Sequence, residues 1–131
     1  MRAFVILPLL VLQFFAQTMT VRANVGAAIP YGPPYTPTKC NGNSQDQFPP
    51  GNMFAAVSLS LWDNGAACGR KYRVTCLSGS SRPCKSGTID VQVVDLCRDN
   101  PCPASLLLSR NAFSVISSNS NERINVEYIE I

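Results

Sequence analysis

The chain predicts a mainly β domain: a small β-barrel with one or two short helices, stapled by disulfides. Three observations carry this. Short stretches alternate apolar and polar residues with a period of two, and turn-forming Gly, Pro and Asn separate them. Six cysteines also fall within 131 residues, a density typical of small domains that need cross-links to supplement a limited core.

The first element is expected to be removed. Arg2 precedes an apolar run from Ala3 to about Ala16, and a small residue follows at Ala23. This is the layout of a secretory signal peptide over residues 1–23, and the run is shorter than the ~20 residues a spanning helix needs. The expectation is a secreted protein of the extracellular space, with one domain over residues 24–131 and no membrane insertion. Arg2 and Arg22 would leave with the signal, so the net charge of the mature part falls to about +1 from the +3 of the whole chain. That balance argues against nucleic acid, whose partners gather positive charge on one face.

Residues 24–52 are rich in Pro and Gly, which disfavour helix. A short strand at Val25 to Ala28 followed by an extended loop fits them. Tyr31 and Tyr35 lie among the prolines, either exposed for stacking or packed over the domain edge. Met53 to Val57 reads as a buried strand and "SLSLW" as a turn of helix, and "DNG" (Asp63 to Gly65) is a turn because Asn and Gly tolerate positive φ. In "KYRVTC", Tyr72, Val74 and Cys76 share one face. The clearest strand is "GTIDVQVVDLC": strict alternation puts Ile89, Val91, Val93, Asp95 and Cys97 on one face, and Thr88, Asp90, Gln92 and Val94 on the other. Asp90 then reads as a solvated charge. Asp95 is either buried with a partner or set at the lip of a groove. "SLLLSRNAFSVISS" carries Leu108, Ala112, Phe113 and Ile116 at helical spacing, with Ser109 as N-cap. "INVEYIEI" alternates to the last residue as a final strand.

The cysteines point to three disulfides, since the chain has no histidine and no Cys-x-x-Cys pair to hold zinc. No metal or cofactor is expected. Spacing alone leaves the fifteen pairings of six cysteines open. Without histidine, no Ser-His-Asp or Cys-His system can be assembled, so any acid–base chemistry would fall to carboxylates. The mature part has no Asn-x-Ser/Thr glycosylation acceptor.

The motifs "LWDNGAACG", "YRVTC", "GTIDVQVVDLC", "LSRNAFSVI" and "INVEYIEI", in that order, resemble the six-stranded double-psi β-barrel shared by the first domain of expansins and family 45 endoglucanases. With "PPYTPTKC" near its start and no second domain expected, the chain is most similar to plant natriuretic peptides and blight-associated proteins, the EG45-like domain-containing proteins. The resemblance implies disulfides Cys40–Cys68 and Cys76–Cys84, with Cys97–Cys102 closing a third local loop.

In the lytic relatives, two aspartates act as general acid and base, set ~6.5–9.5 Å apart for inverting hydrolysis. Asp95 matches one of these acidic positions. The other belongs to a His-Phe-Asp-Leu-Ser motif, against which "SLLLS" puts Ser105 for the histidine and Leu107 for the aspartate. The resemblance therefore implies no catalytic residues and no enzyme, with Asp99 the nearest substitute carboxylate. It implies a systemic signalling role in water and solute homeostasis and in stress response, through a plasma-membrane receptor. The segment linked to activity corresponds to Pro34 to Tyr72. Tyr35, Trp62 and Tyr72 would serve as aromatic anchors, with Arg70, Lys71 and Arg73 as receptor-surface cations, although Trp62 reads equally well as core. The alternative is a wall-polysaccharide binder or wall-loosening factor using Asp95, Tyr31, Tyr35, Trp62, Asp63 and Tyr72, or a barwin-like defence protein. A monomer is expected in each case.

Overall fold

Alternating sequence becomes a closed barrel. The computed structural model describes residues 23–131, so the expected signal peptide, apart from Ala23, lies outside the described residues. The six strands are β1 (Asn24–Tyr31), β2 (Phe54–Val57), β3 (Lys71–Ser78), β4 (Thr88–Leu96), β5 (Leu106–Ser109) and β6 (Ile124–Glu130). Two short helices, α1 (Leu59–Trp62) and α2 (Arg110–Ile116), complete the set with three single 3-10 turns. The strand order around the barrel is β1-β5-β2-β4-β3-β6. The β1/β5 and β2/β4 pairs run parallel, and the other four pairs run antiparallel. No helix among the described residues is long and apolar enough to cross a membrane.

The barrel interior is filled by Ala55 and Val57 of β2, Val74 of β3, Ile89, Val91 and Val93 of β4, Leu106 and Leu108 of β5 and Val126 of β6. Phe113 and Ile116 of α2 pack on the same cluster. Each of the Val, Leu, Ile and Phe side chains removed from water contributes about 1.5–3 kcal/mol. Ser109 caps α2 as the sequence suggests: its hydroxyl accepts from the Ala112 amide at 3.1 Å. The three disulfides join Cys40 to Cys68, Cys76 to Cys84 and Cys97 to Cys102.

Four sequence expectations need correction. Leu108 does not lie on the helix: Leu106–Ser109 is strand β5, and the helix starts after its Ser109 cap. All four β5 residues are buried, and a strand buried on both faces loses the alternation that separates it from a helix. β1 runs on past Ala28 to Tyr31. Pro30 is tolerated there because β1 pairs with β6 only from Asn24 to Ala28, so Pro30 is paired on the β5 side alone. Asp90 is not a free solvated charge: it sits opposite Arg73 across the β3/β4 ladder. Arg73 Nε and Nη2 donate to its two carboxylate oxygens at 2.9 and 3.1 Å, a fork that holds Asp90 below the usual carboxylate range.

The fourth correction bears on the site. β4 does not alternate to its end, because its pairing with β2 shifts register: Ala55 faces Val93, while Ala56 faces Asp95. One extra residue, Val94, is accommodated between them and is fully buried. Such a bulge reverses the facing of everything beyond it. Asp95 therefore leaves the face of Ile89, Val91 and Val93 and joins that of Ala56, outside the barrel.

Candidate functional site

The outer face of β2 is covered as fully as its inner one. Phe54 is buried beneath rings contributed by the Pro-rich segment: Tyr35 lies edge-on to it with centroids 4.8 Å apart, and Phe48 lies at 4.7 Å. Tyr31 completes the cluster, edge-on to Tyr35 at 5.1 Å. Such contacts are worth about 0.5–1.5 kcal/mol each beyond area burial. Tyr35 is held further, its hydroxyl donating to the Tyr31 carbonyl at 3.0 Å and accepting from the Arg110 amide at 3.3 Å. The proline-rich stretch thus folds as a lid over one end of β2.

Where that lid stops, a cavity of about 240 Å³ opens. It is lined by Tyr31, Gly32, Pro34, Ala56, Asp95, Leu107 and the loop residues Arg98 and Asp99. Its floor follows from the strand register. Ala56 pairs with Asp95 on one side and with Leu107 on the other, so the three lie in a row across β4, β2 and β5. Two strand spacings separate the outer pair, about 9–10 Å between Cα atoms. A carboxylate at position 107 would stand near the upper end of the separation that suits inverting hydrolysis. Leu107 instead packs against Ala27, Ala56, Cys97 and Ala104 and offers no proton.

Asp95 is 4% exposed, yet it has no cationic partner among the ion pairs of the described residues. Backbone amides satisfy it: Lys39 N donates to Oδ1 at 2.8 Å and Leu96 N at 2.9 Å. The Lys39 bond ties the lid to the end of β4. Beside it, the Tyr31 hydroxyl is buried without a hydrogen-bond partner. Burial first, and then the Asp95 charge, push that phenol far above its ordinary pKa. A neutral hydroxyl with its proton uncommitted therefore lines the same cavity as a carboxylate.

The remaining sequence candidates lie elsewhere. Tyr72 is 5% exposed and packs edge-on to Tyr128 at 5.7 Å. It is a core residue, not a surface anchor, because its face of β3 turns into the barrel. Trp62 is half-buried against the core and does not line the cavity. Asp63 sits at the turn after α1, where it pairs with Arg70 at 2.6 Å. Arg70 is thus engaged with Asp63, and Arg73 with Asp90. Lys71 is exposed at the start of β3. Asp99 lines the cavity from the exposed loop between Cys97 and Cys102.

Sequence reasoning missed Gly32 and Arg110. They line a second cavity of about 560 Å³ that shares Tyr31 and Gly32 with the first. The only local signal was a glycine preceding two prolines.

Comparison with known proteins agrees with this fold. Residues 54–128 match the family model described as lytic transglycolase, a double-psi β-barrel. The chain is 41% identical over 122 residues to an EG45-like domain containing protein 2 of Arabidopsis thaliana, with 89% of each chain covered. It is 40% identical over 110 residues to an EG45-like domain containing protein of Citrus jambhiri, covering 81% of this chain and 80% of that one. Among solved structures, an aspartate-to-asparagine variant of the Clavibacter michiganensis expansin in complex with cellohexaose superposes with a TM-score of 0.63 and 32% identity. That match covers 84% of this chain and 50% of the expansin, so the chain spans about half the length of that protein. The chain belongs to the EG45-like domain-containing proteins, within the expansin-like double-psi β-barrels.

Proposed function

We propose that this protein is a secreted, non-hydrolytic binder of cell-wall polysaccharide, acting in the extracellular space as an expansin-like single barrel. The observation that carries the reading is the row Asp95–Ala56–Leu107: one amide-held carboxylate faces a leucine where an acid–base pair would need a second carboxylate. Such a floor supports hydrogen bonds from sugar hydroxyls to Asp95 and apolar contact of a sugar ring with Leu107. It does not support the two proton transfers of glycoside cleavage. The Tyr31 hydroxyl adds a donor beside it. A bacterial expansin whose matched half superposes on this barrel has been solved in complex with cellohexaose, which supports a β-glucan as the kind of chain to test.

The test is retention on cellulose, xylan and pectin, paired with a reducing-end assay on soluble β-glucan. Binding without new reducing ends is expected. Release of reducing ends that is lost in Asp99→Asn would overturn the non-hydrolytic part, since Asp99 is the other carboxylate at the cavity.

A second reading, natriuretic signalling in water and solute homeostasis and stress response through a plasma-membrane receptor, rests on the excursion from Pro34 to Tyr72. The Cys40–Cys68 disulfide staples this segment, and it carries Leu59 at 68% exposure with Lys71 near its end. Protoplast volume measured against dose of the purified protein separates the two readings. A volume response that survives Asp95→Asn would favour the receptor.

A further inference from the structure

Arg110 is exposed at the start of α2 and takes part in no ion pair among the described residues. Its guanidinium comes close to Gly32. It lies against the backbone of Gly32, where a β-carbon would stand 2.5 Å from Cζ and 2.6 Å from Nε and Nη2. A β-carbon at position 32 would push this side-chain end aside, and with glycine there the cation sits at the wall of the second cavity. This cavity is lined by Pro30, Tyr31, Gly32, Arg110 and the polar residues Ser114 and Asn121, and no acidic side chain lines it. The adjoining cavity differs in charge, with two carboxylates, Asp95 and Asp99, on its wall against one cation, Arg98.

From this asymmetry we infer that the Arg110 cavity is a subsite for a carboxylate-bearing sugar, a hexuronate carried on a wall glycan whose neutral residues occupy the Asp95 cavity. The inference rests on the polysaccharide-binding reading above and names the glycan class it selects. A planar guanidinium accepts a carboxylate through two parallel N–H···O bonds, and Ser114 and Asn121 supply partners for ring hydroxyls. The carboxylates of the other cavity repel an anionic sugar there, which sets the register of a mixed chain across the site.

The test uses protein secreted by a host expressing the full chain and compares glucuronoxylan with the same polymer after its carboxyl groups are reduced to alcohols. Affinity electrophoresis is expected to show about tenfold tighter binding to the acidic polymer, the scale of one charge-assisted pair. Arg110→Gln removes the charge and is expected to lower binding of glucuronoxylan to the level of the reduced polymer, with melting temperature as the check on folding. Equal binding of wild type to the two polymers overturns the hexuronate subsite and leaves the polysaccharide reading standing. Loss of both polymers equally in Arg110→Gln also overturns it. No retention of either polymer by wild type overturns the underlying reading together with the inference.

Discussion

Replacing Asp95 by Ala is expected to unhook the lid from the barrel. The carboxylate accepts the Lys39 amide at 2.8 Å and the Leu96 amide at 2.9 Å, both at a residue that is 4% exposed. Hydrogen bonds to a charged acceptor contribute about 1.5–3 kcal/mol each, and a donor left buried without a partner costs about 1–3 kcal/mol. The Lys39 amide lies in an exposed residue and can turn to water, so the loss falls mainly on Leu96 and on the lid contact. A total of about 2–4 kcal/mol follows, or a melting-temperature drop of roughly 8–25 °C for a domain of this size. Asp95→Asn keeps an oxygen at Oδ1 for both amides and gives up only the charge, with an expected cost of about 1 kcal/mol. Thermal and urea unfolding with the disulfides intact measures both variants. Hydrogen exchange at Lys39 and Leu96 reports the local event, with faster exchange expected in the alanine variant alone. Equal stability of Asp95→Ala and wild type, with unchanged exchange at those amides, would refute the claim that this carboxylate holds the lid.

Two further outcomes follow from the same cavity. Leu107→Asp puts a carboxyl among Ala27, Ala56, Cys97 and Ala104 and forfeits about 2–3 kcal/mol of apolar burial. Desolvation and Asp95 across Ala56 would raise the pKa of the new acid, so the variant is relatively more stable below pH 5 and loses that stability as pH rises through the raised value. Urea melts at pH 4 and pH 7 that show the same deficit would contradict this. Tyr31 is predicted to be among the last tyrosines to ionise. Its phenol is held protonated in the folded state, so stability is intact below the ordinary tyrosine value and falls as pH climbs past about 10. Absorbance titration should show a late phase that Tyr31→Phe abolishes and Asp95→Asn shifts to lower pH. A titration unchanged by Tyr31→Phe would sink the assignment.

How much of this was legible in the sequence depends on which interaction fixes each residue. Tyr72, Val74 and Cys76 share a face of β3 and are all buried, because an antiparallel strand with one wet face obeys period two. The barrel and the Ser109 cap were legible for the same reason: local pattern and local hydrogen bonding decide them. Asp95 was found as a residue but misplaced as to face, since the bulge at Val94 is a property of the β2/β4 pairing and leaves no mark in either strand alone. Tyr72 is a core ring and not an anchor, as its alternation with Val74 indicates, and the basic residues beside it in sequence lie on the other face of β3. The Gly32–Arg110 approach was invisible, because it joins residues 78 positions apart through a parallel β1/β5 pair that no local signal announces.

The bulge is also what makes the site. Without it, period two would turn Asp95 into the barrel among Val91 and Val93, where an unpaired carboxylate costs several kcal/mol and would be driven to its neutral form. With it, the carboxylate reaches the outer face at the height of Ala56, accepts two amides and opens onto a cavity. The smallness of Ala56 matters equally. It pairs with Asp95 and Leu107 at once, and a larger side chain there would fill the space between them and divide the floor. The register shift and an alanine together convert a strand end into the floor of a cavity. The row Asp95–Ala56–Leu107 is set by strand register and not by the side chain at position 107, so on the proposed reading a sugar-binding floor needs no second acid there.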